Sequence, residues 1–573
     1  MLDPIGPQSS VKPAEAQWLA RIKAARRQGN HLVAFDLSEQ ALQDWPSSLA
    51  ITYESILALA RAGALDGALA RYNKIFAAGQ LDKIDDETLA SDFAGLGGRL
   101  FKDLATRRQG EEAGRHRLTS AMAYKAGFDR FGAYYLAINA ASMFLAAGYV
   151  EPAREYAEIA QRKAAEDASN YWSAATLAEA AMILGDFTSV RAKLATAAGF
   201  GTDYDNIAST RRQLAWVAAL VNAPTDILDD LPGPMVLNWR APSDLEVGYL
   251  EFEFPKDHGV LAFGPMLSAA DLVTAQALLA AGAVVHLVLP CKPAMLAEQV
   301  FSDTAERLAM FNAIIANEQV SVMLVTDQGA PFEPAASLLC TQQARGLALL
   351  RAQGLAVSAQ LLVPGPKGIA YSEIPTDDSD LHRALVVTDI PANRLRKPHA
   401  ILFGDVHGFS NLTEFEQLEF LEHIIGGFAD VLEQIKSTEY AETAGDGLFI
   451  VLSNLLDAVE CSFALHAVLP KGAAAGGLPR DLGMRISAHV GPLYKRLDKV
   501  IAREKFCGME VVRTARIEPV TPVGEIYVTE QFATALACAA PGAFICEYVG
   551  IQPMAKKYGE CRMYSLRRAI APT

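Results

Sequence analysis

Residues 399–417, HAILFGDVHGFSNLTEFEQ, decide the fold of the last third of this 573-residue chain. Apolar residues lead to Asp405, a glycine-containing turn follows, and a helix is predicted to begin near Glu414. The strand end would present the carboxylate of Asp405, and backbone N–H groups in a turn before a helix can bind phosphate. We therefore expect a phosphate site to which the turn contributes Gly408, Phe409 and Ser410.

A second stretch supplies another aspartate. Residues 437–453 read STEYAETAGDGLFIVLS, in which Gly445, Asp446 and Gly447 form a predicted tight turn between two strands. Such a hairpin can bring Asp446 beside Asp405. Neighbouring carboxylates repel each other unless a cation joins them, and hard oxygen ligands suit Mg²⁺ or Mn²⁺. Two such ions can lower the pKa of a ribose hydroxyl and neutralise a triphosphate.

Three further segments complete an ordered set of five: MRISAHVGPLYK at 484–495, KFCGMEVVRTARIEPVTPVGEIYVTE at 505–530 and YVGIQPMAKKYGECRMYSL at 548–566. In this order the set resembles the catalytic domain of class III adenylate and guanylate cyclases. The family signatures read roughly FxDxxGFT, GD before an apolar strand, RIxxHxGP, GxxVNxAxRIExxxxxGxIxVS and LKGxGxxxxY. The resemblance implies an α+β ferredoxin-like domain over 399–573 that converts a nucleoside triphosphate to a 3′,5′-cyclic nucleotide and pyrophosphate.

The resemblance also implies roles for individual residues. Asp405 and Asp446 match the ligands of two Mg²⁺ or Mn²⁺ ions, and the carbonyl of Val406 would add a backbone ligand. Arg516 matches the catalytic arginine that stabilises charge on the α-phosphate, and Lys556 matches the lysine that binds the terminal phosphates. In this family the aspartates and the two cations belong to different, antiparallel domains. Because the chain holds one such domain, we expect a homodimer with two equivalent sites.

Two further positions bear on the choice of base. Glu442, four residues before the second metal aspartate, stands where guanylate cyclases carry Glu and adenylate cyclases carry Lys. A carboxylate can accept both adjacent donors of guanine, N1–H and the 2-amino group. Lys505 departs from both classes but could donate to guanine O6. The pair favours GTP, with ATP or UTP as alternative substrates.

The pattern fails at one position, because Val512 replaces the asparagine that helps orient the ribose. A lost hydrogen bond of this kind costs on the order of 1–3 kcal/mol, so we expect a slow or conditional cyclase. The alternative is a nucleotide-sensing scaffold protein with little activity. Two other residues receive no chemical role: His489 is predicted to be a satisfied core histidine, and Cys507 to pack as a small apolar residue.

Residues 1–235 are Ala-rich and repeat a helix, a glycine-containing turn and a second helix. Examples are LALARAGALDGALARYNKI and LAEAAMILGDFTSVRAKLATAA, which predict an all-α tetratricopeptide-like array, with an irregular helical bundle as the alternative. The run YKAGFDRFGAYYLAINAASMFLAAG resembles the TRAFs-binding region of apoptosis-signal kinases, a resemblance that covers roughly residues 40–235. It implies a regulatory module that binds a protein partner.

Residues 236–370 alternate short β-branched runs with helical stretches, which predicts a Rossmann-like α/β domain with a parallel sheet. The segment FGPMLSAADLVTAQALLAAG resembles SLOG-type domains, which hold a nucleotide phosphate at a helix N-terminus. Gly264 and Asp271 match that pattern, whereas Ala269 replaces a glycine. The alternative is a structural or sensory domain without a ligand. Residues 371–398 are polar and are predicted to form a linker before the cyclase domain.

Composition restricts the remaining function classes. The net charge of −15 argues against broad nucleic-acid binding. The seven cysteines lack a CxxC pair and are expected to be reduced thiols. The N-terminus has no apolar signal core, and the apolar residues 272–290 are predicted to form a buried helix and strand instead of a membrane span. We therefore expect a cytoplasmic protein.

Overall fold

The computed structural model describes residues 14–28, 30–167, 169–200, 204–224, 226–242, 250–254, 259–326, 333–365, 368–374, 395–479 and 482–569. Two compact units divide the chain between Gly233 and Pro234. Most of the predicted linker at 371–398 lies outside the described residues. None of the helices in the ranges above combines the length and apolar character that crossing a membrane requires.

The first unit is helical, as predicted. Its helices are α1 Glu15–Arg27, α2 His31–Asp44, α3 Leu49–Arg61, α4 Leu65–Ala77, α5 Glu87–Thr106, α6 Gly110–Phe131, α7 Tyr134–Ala146, α8 Val150–Glu166, α9 Tyr171–Leu184, α10 Phe187–Ala198 and α11 Tyr204–Val221. A 3₁₀ turn, Leu81–Lys83, precedes α5. Successive helices from α1 to α10 pack as neighbours, α11 packs against α9, and α1 also contacts α11. The array therefore curves until its first and last helices meet.

Small residues allow these helices to approach closely. Alanines from α6 to α10 fill much of the core, and several of them are fully buried. A Cβ atom at Gly95 or Gly98 of α5 would lie 2.8 Å from the ring of Tyr135 or Tyr124. The Ala-Gly composition that predicted paired helices therefore has a direct packing role.

The second unit begins with a six-stranded sheet. Its strands are β1 Met235–Trp239, β2 Val260–Pro265, β3 Val284–Leu289, β4 Val320–Leu324, β5 Ala359–Gly365 and β6 Gly368–Glu373. Their order among the described residues is β4-β3-β2-β1-β5-β6. Strands β1 to β5 are parallel and β6 is antiparallel to β5. The connecting helices are α12 Ala269–Ala280, α13 Pro293–Gln299, α14 Ala305–Ile315 and α15 Pro334–Leu355.

A second sheet follows. Its strands are β7 Lys397–His407, β8 Thr438–Ala444, β9 Gly447–Leu452, β10 Gly483–Asp498, β11 Arg503–Cys507, β12 Ile526–Thr529, β13 Phe544–Pro553 and β14 Glu560–Arg568. Their order is β13-β14-β12-β10-β7-β9-β8, and β11 pairs with β10. The helices are α16 Glu414–Phe420, a π-helical turn Leu421–Ile425, α17 Gly426–Gln434, α18 Leu455–Ala475, α19 Met509–Ile517 and α20 Glu530–Ala539.

The two sheets of the second unit are joined by direct contacts. Gln531 Nε2 of α20 donates to the carbonyl of Leu324 at 3.1 Å. A Cβ atom at Gly346 of α15 would lie 2.2 Å from the backbone oxygen of Thr534, so α15 and α20 touch through their backbones. The buried guanidinium of Arg396, just before β7, also pairs with a buried glutamate that precedes α15. The two sheet regions of the second unit are therefore packed against each other.

Candidate active site

The first predicted pair of site residues is brought together by neighbouring strands. Asp405 lies near the end of β7, and Asp446 lies in the turn between β8 and β9. Strand β9 pairs with β7, Leu448 opposite Gly404, so the turn adjoins the end of β7. The pKa of Asp446 is raised, first by partial burial and then by the charge of Asp405. The two carboxylates therefore repel each other, as expected from the sequence.

A cation that sequence reasoning missed lies beside this pair. Arg485 of β10 is opposite Asp405 in the sheet register. Its Nη2 is 2.8 Å from Asp405 Oδ2, and its Nε is 2.5 Å from Glu518 Oε1. Burial raises the pKa of Glu518, and the charges of Asp405 and Asp446 raise it further against the opposing effect of Arg485. Only the antiparallel register reveals this contact, because the residues are far apart in sequence.

Asp405 and Asp446 offer oxygen ligands of the kind that bind Mg²⁺ together with substrate phosphates and water. In the part of the chain that the structure describes, no group of three or more His, Cys, Asp or Glu residues is arranged to hold an ion. Two carboxylates alone are the usual protein contribution where Mg²⁺ also binds substrate phosphates and water. The repulsion between Asp405 and Asp446 is relieved by a cation between them. The residues present therefore fit such an ion.

The turn after β7 has a defined backbone conformation and one aromatic contact. Gly408 has φ +95°, which favours glycine, and Phe409–Asn411 forms a 3₁₀ turn that includes Ser410. The ring of Phe409 packs on Phe420 with centroids 4.8 Å apart. Helix α16 begins at Glu414, as predicted, behind a capping box of Thr413 and Glu416. Val406 keeps its side chain in the core. These contacts fix the backbone beside Asp405.

The two base-selecting candidates touch each other. Lys505 Nζ of β11 lies 2.8 Å from Glu442 Oε2 of β8. The hydroxyl of Tyr440 also donates to this carboxylate. Lys505 and Tyr440 together lower the pKa of Glu442, so the carboxylate is ionised near neutrality. The structure therefore joins Glu442 and Lys505 into one unit.

The two predicted phosphate-binding cations lie on α19 and on the turn between β13 and β14. Arg516 is in the last turn of α19, and Lys556 is exposed in the 3₁₀ turn Ala555–Lys557, which α19 contacts. Within the residues described, neither forms a hydrogen bond or ion pair. Lys556 has φ +58°, a strained conformation for a residue with a side chain. Val512, on the same helix as Arg516, is half-buried.

His489 and Cys507, to which the sequence assigned no chemical role, lie in different environments. His489 is fully buried, with Nδ1 2.8 Å from Thr529 Oγ1 and Nε2 2.9 Å from Glu510 Oε2, which confirms a satisfied core histidine. The prediction that Cys507 packs as an apolar residue is wrong, because its side chain is exposed. Cys507 ends the edge strand β11, directly before Gly508, and this position leaves it outside the core.

In the first sheet, the residues matching the SLOG pattern serve packing and capping. A Cβ atom at Gly264 would lie 2.0 Å from the indole of Trp239. Asp271 is buried and accepts hydrogen bonds from the backbone of Leu267 at 3.0 Å and the hydroxyl of Ser268 at 2.9 Å. Ala269 is the first residue of α12. The side chain of Asp271 thus forms these hydrogen bonds with residues at the start of its own helix.

Comparison with known proteins agrees with this geometry. Residues 30–145 match the model of the Tetratricopeptide Repeats-Sensor family. Residues 394–568 match the model of the adenylate and guanylate cyclase catalytic domain. Neither match covers the first sheet of the second unit. No curated protein is significantly similar to the chain.

Solved cyclase structures align with the last third of the chain. The adenylyl cyclase CyaB from P. aeruginosa is 17% identical, and the match covers 31% of this chain and 98% of that one with a TM-score of 0.28. The guanylyl cyclase Cya2 is 25% identical over 31% of this chain and 95% of that one, with a TM-score of 0.27. The guanylate cyclase domain of RhGC from Catenaria anguillulae, solved with GTP, is 16% identical over 30% and 97%, with a TM-score of 0.26. Behind a tetratricopeptide-sensor region, the chain thus carries a class III adenylate and guanylate cyclase catalytic domain at residues 394–568.

Proposed function

We propose that the protein is a nucleotidyl cyclase that converts a nucleoside triphosphate, with GTP favoured, to a 3′,5′-cyclic nucleotide and pyrophosphate. The observation that carries the proposal is the repelling pair of Asp405 and Asp446 at one end of a cyclase-family sheet. A partly buried like-charge pair is destabilised unless a positive group binds between its members. Metal-bound triphosphate provides that charge.

In this proposal Asp405 and Asp446 hold two Mg²⁺ or Mn²⁺ ions, together with the carbonyl of Val406. The ions would supply acidification of the ribose 3′-hydroxyl and charge neutralisation of the triphosphate. Arg485 also has a role in this proposal, because its ion pair neutralises Asp405 before the substrate binds. The turn at Gly408, Phe409 and Ser410 offers backbone N–H groups to the phosphates.

The active form is proposed to be an antiparallel homodimer. Arg516 and Lys556 make no ion pair within the described residues of their own chain, so a second copy can place them against its metal-bound triphosphate. The cyclase domain also exposes apolar side chains, Phe415 at 69%, Leu418 at 63% and Val500 at 93%. Phe415 and Leu418 lie one helical turn apart on α16, and adjacent exposed apolar side chains of this kind are typical of protein interfaces.

The base preference rests on the contact between Glu442 and Lys505. An ionised carboxylate accepts from N1–H and the 2-amino group of guanine, and the Lys505 ammonium donates to O6. Adenine presents one donor and one acceptor on that edge, and the acceptor would face the carboxylate. Uracil keeps an N–H between carbonyls, which makes UTP the next candidate.

The upstream modules are proposed to regulate the cyclase. Thr326, directly after β4, hydrogen-bonds Glu510 of α19. Glu510 in turn holds His489, and the same helix carries Arg516. A change in the first sheet would therefore reach the helix that presents the catalytic arginine. The helical region would add a site for a protein partner.

A second candidate function is favoured by Val512 alone. Without the asparagine amide at this position, the domain could bind GTP and act as a nucleotide-dependent scaffold with little turnover. The two candidates differ in one measurable quantity, the yield of cyclic product per bound nucleotide.

The test is incubation of the full chain with ATP, GTP, CTP or UTP and Mn²⁺, with cyclic products separated by chromatography. We expect cyclic GMP as the main product. Exchanging Glu442→Lys should shift the product toward cyclic AMP, whereas the matched exchange Glu439→Lys, on the same strand, should not. Absence of cyclic product from all four nucleotides would refute the cyclase proposal, and tight GTP binding in that case would support the scaffold.

A further inference from the structure

A large cavity lies inside the helical unit, apart from the cyclase site. Its volume is about 770 Å³, within the range of small-molecule sites. The residues that line it come from α1, α3, α5, α7, α9 and α11, with one tyrosine from α6. Alternate helices of a curved repeat array line its concave side. Because α1 also contacts α11, this concave side is closed into a chamber.

The chamber is positively charged inside a strongly acidic protein. Among the described residues, seven cationic side chains and four carboxylates line it. The cations that matter most here are Arg26, Arg61, Arg99, Lys102 and Arg212. Such a concentration of like charge around one space attracts an anion.

The internal acids do not satisfy these cations. Asp205 already receives Arg26 at 2.7 Å and also pairs with Arg61. Arg61 is 8% exposed, and its Nε has no hydrogen-bond acceptor in the described part of the chain. Arg99 Nε is 3.5 Å from Asp103 and is likewise buried without a hydrogen bond. Donors of this strength are rarely left unused in a buried position.

Burial and mutual repulsion also destabilise the charged forms of the cations that line the chamber. Burial lowers the pKa of Arg61, and the charges of Arg99 and Arg26 lower it further. Burial likewise lowers the pKa of Lys102, and burial lowers that of Arg212 to about 10. On the acidic side, burial raises the pKa of Asp92 to about 6. Among the described residues, the cations that line the chamber outnumber its carboxylates, so positive charge is in excess there.

Aromatic side chains share the chamber with these cations. Trp172, Trp216 and Tyr134 line it, and Trp172 is 40% exposed. Lys102 Nζ lies 5.7 Å from the ring centroid of Trp216. Arginine forks bind phosphate through paired hydrogen bonds, and indole faces stack on planar rings.

We propose that the chamber binds a small organic anion of nucleotide size, with a phosphate held by Arg61, Arg99 and Lys102 and a planar ring stacked on Trp172 or Trp216. The cavity volume of about 770 Å³ is that of a small-molecule site, which is why the proposed ligand is a small molecule. The helical unit is then a ligand sensor in its own right, independent of the nucleotide that the cyclase domain uses.

The test uses the full chain and three probes that cannot serve as cyclase substrates: ADP-ribose, AMP and inorganic phosphate. Binding is followed by calorimetry, by tryptophan fluorescence and by the melting temperature of the helical unit. The variants are Arg99→Met and Lys102→Met. The matched control is Lys125→Met, which removes an exposed cation of α6 that pairs with Asp129 outside the chamber.

We expect at least one of the two nucleotide probes to bind, to quench fluorescence and to raise the melting temperature. Lys102→Met should weaken that binding at least about tenfold while leaving the ligand-free melting temperature equal or higher, because a strained buried charge is removed. Arg99→Met should weaken binding similarly, and Lys125→Met should leave it unchanged. The proposal is overturned if no probe binds below about 1 mM, or if both chamber variants bind as the parent does.

Discussion

Two segments of the second unit share one sequence signature and differ in what surrounds their aspartates. In the first sheet, β2 leads through Gly264 to α12 and Asp271. In the second sheet, β7 leads through Asp405 and Gly408 to α16. Asp271 is buried and hydrogen-bonded by its own helix start. Asp405 instead pairs with Arg485 and also lies beside a second carboxylate, that of Asp446, whose pKa it helps to raise.

The difference teaches how a ligand site can be told from a structural one. A strand, a glycine turn and an aspartate before a helix are compatible with both. Where the polar groups are satisfied by the fold, the segment is complete without a ligand. Where like charges remain together, a ligand of opposite charge can stabilise the folded state by binding between them.

The largest effect is expected from Asp446→Asn. This change removes a proposed metal ligand, so cyclic product should fall at least about a thousandfold. The melting temperature should not fall, because the repulsion with Asp405 is also removed. Asp271→Asn is the matched control in the other segment and should retain activity. Equal loss in both variants would remove the distinction between the two segments.

A gain of function is expected from Val512→Asn. An amide at this position of α19 would restore one hydrogen bond to the nucleotide, and turnover should rise roughly ten- to a hundredfold at saturating GTP. The conservative exchange Val512→Thr, which lacks the amide, serves as the control. An unchanged rate in Val512→Asn would mean that another step limits the cyclase.

Gly264→Ala should lower stability and leave nucleotide chemistry intact. The added methyl group would meet the Trp239 indole at 2.0 Å, so the first sheet must shift at a cost of about 1–3 kcal/mol. Thermal unfolding measures this cost, and Gly114→Ala, which meets no atom within 4 Å and needs no left-handed φ, isolates the contribution of crowding. A parent-like melting temperature in Gly264→Ala would contradict the packing role.

The smallest effect concerns pH. Burial raises the pKa of Asp271 from 3.8 to about 6, so the folded state holds this proton more tightly than the unfolded chain does. Stability from this group therefore declines as pH rises from about 4 to 6. Asp271→Asn lacks this carboxyl, so the melting temperature of the variant relative to the parent should rise between about pH 4 and 6. A difference that stays constant over this range would show that the carboxyl does not titrate as stated.

Local patterns predicted much of the fold. The Ala-Gly periodicity predicted the paired helices, the β-branched runs predicted the first sheet, and Thr413 with Glu416 marks the helix that was expected near Glu414. The hairpin at Asp446 also lies where its glycines indicated. Each of these features depends on residues close together in sequence.

What the sequence did not reveal depends on long-range register. Arg485 meets Asp405 only because β10 runs antiparallel to β7. The exposure of Cys507 follows from β11 being an edge strand, which among the described strands pairs only with β10. The charged chamber is built from residues of six alternating helices, none of which is unusual in its own segment. Such features appear only once the elements are assembled.

The central claim is that two copies of the chain share each catalytic site, with aspartates from one and Arg516 from the other. The direct measurement mixes an inactive Asp446→Asn chain with an inactive Arg516→Ala chain and assays cyclic GMP. Random pairing should give mixed dimers with one intact site, and hence about a quarter of the parent activity per chain. A mixture that stays inactive, while cross-linking shows that mixed dimers have formed, would contradict the shared site.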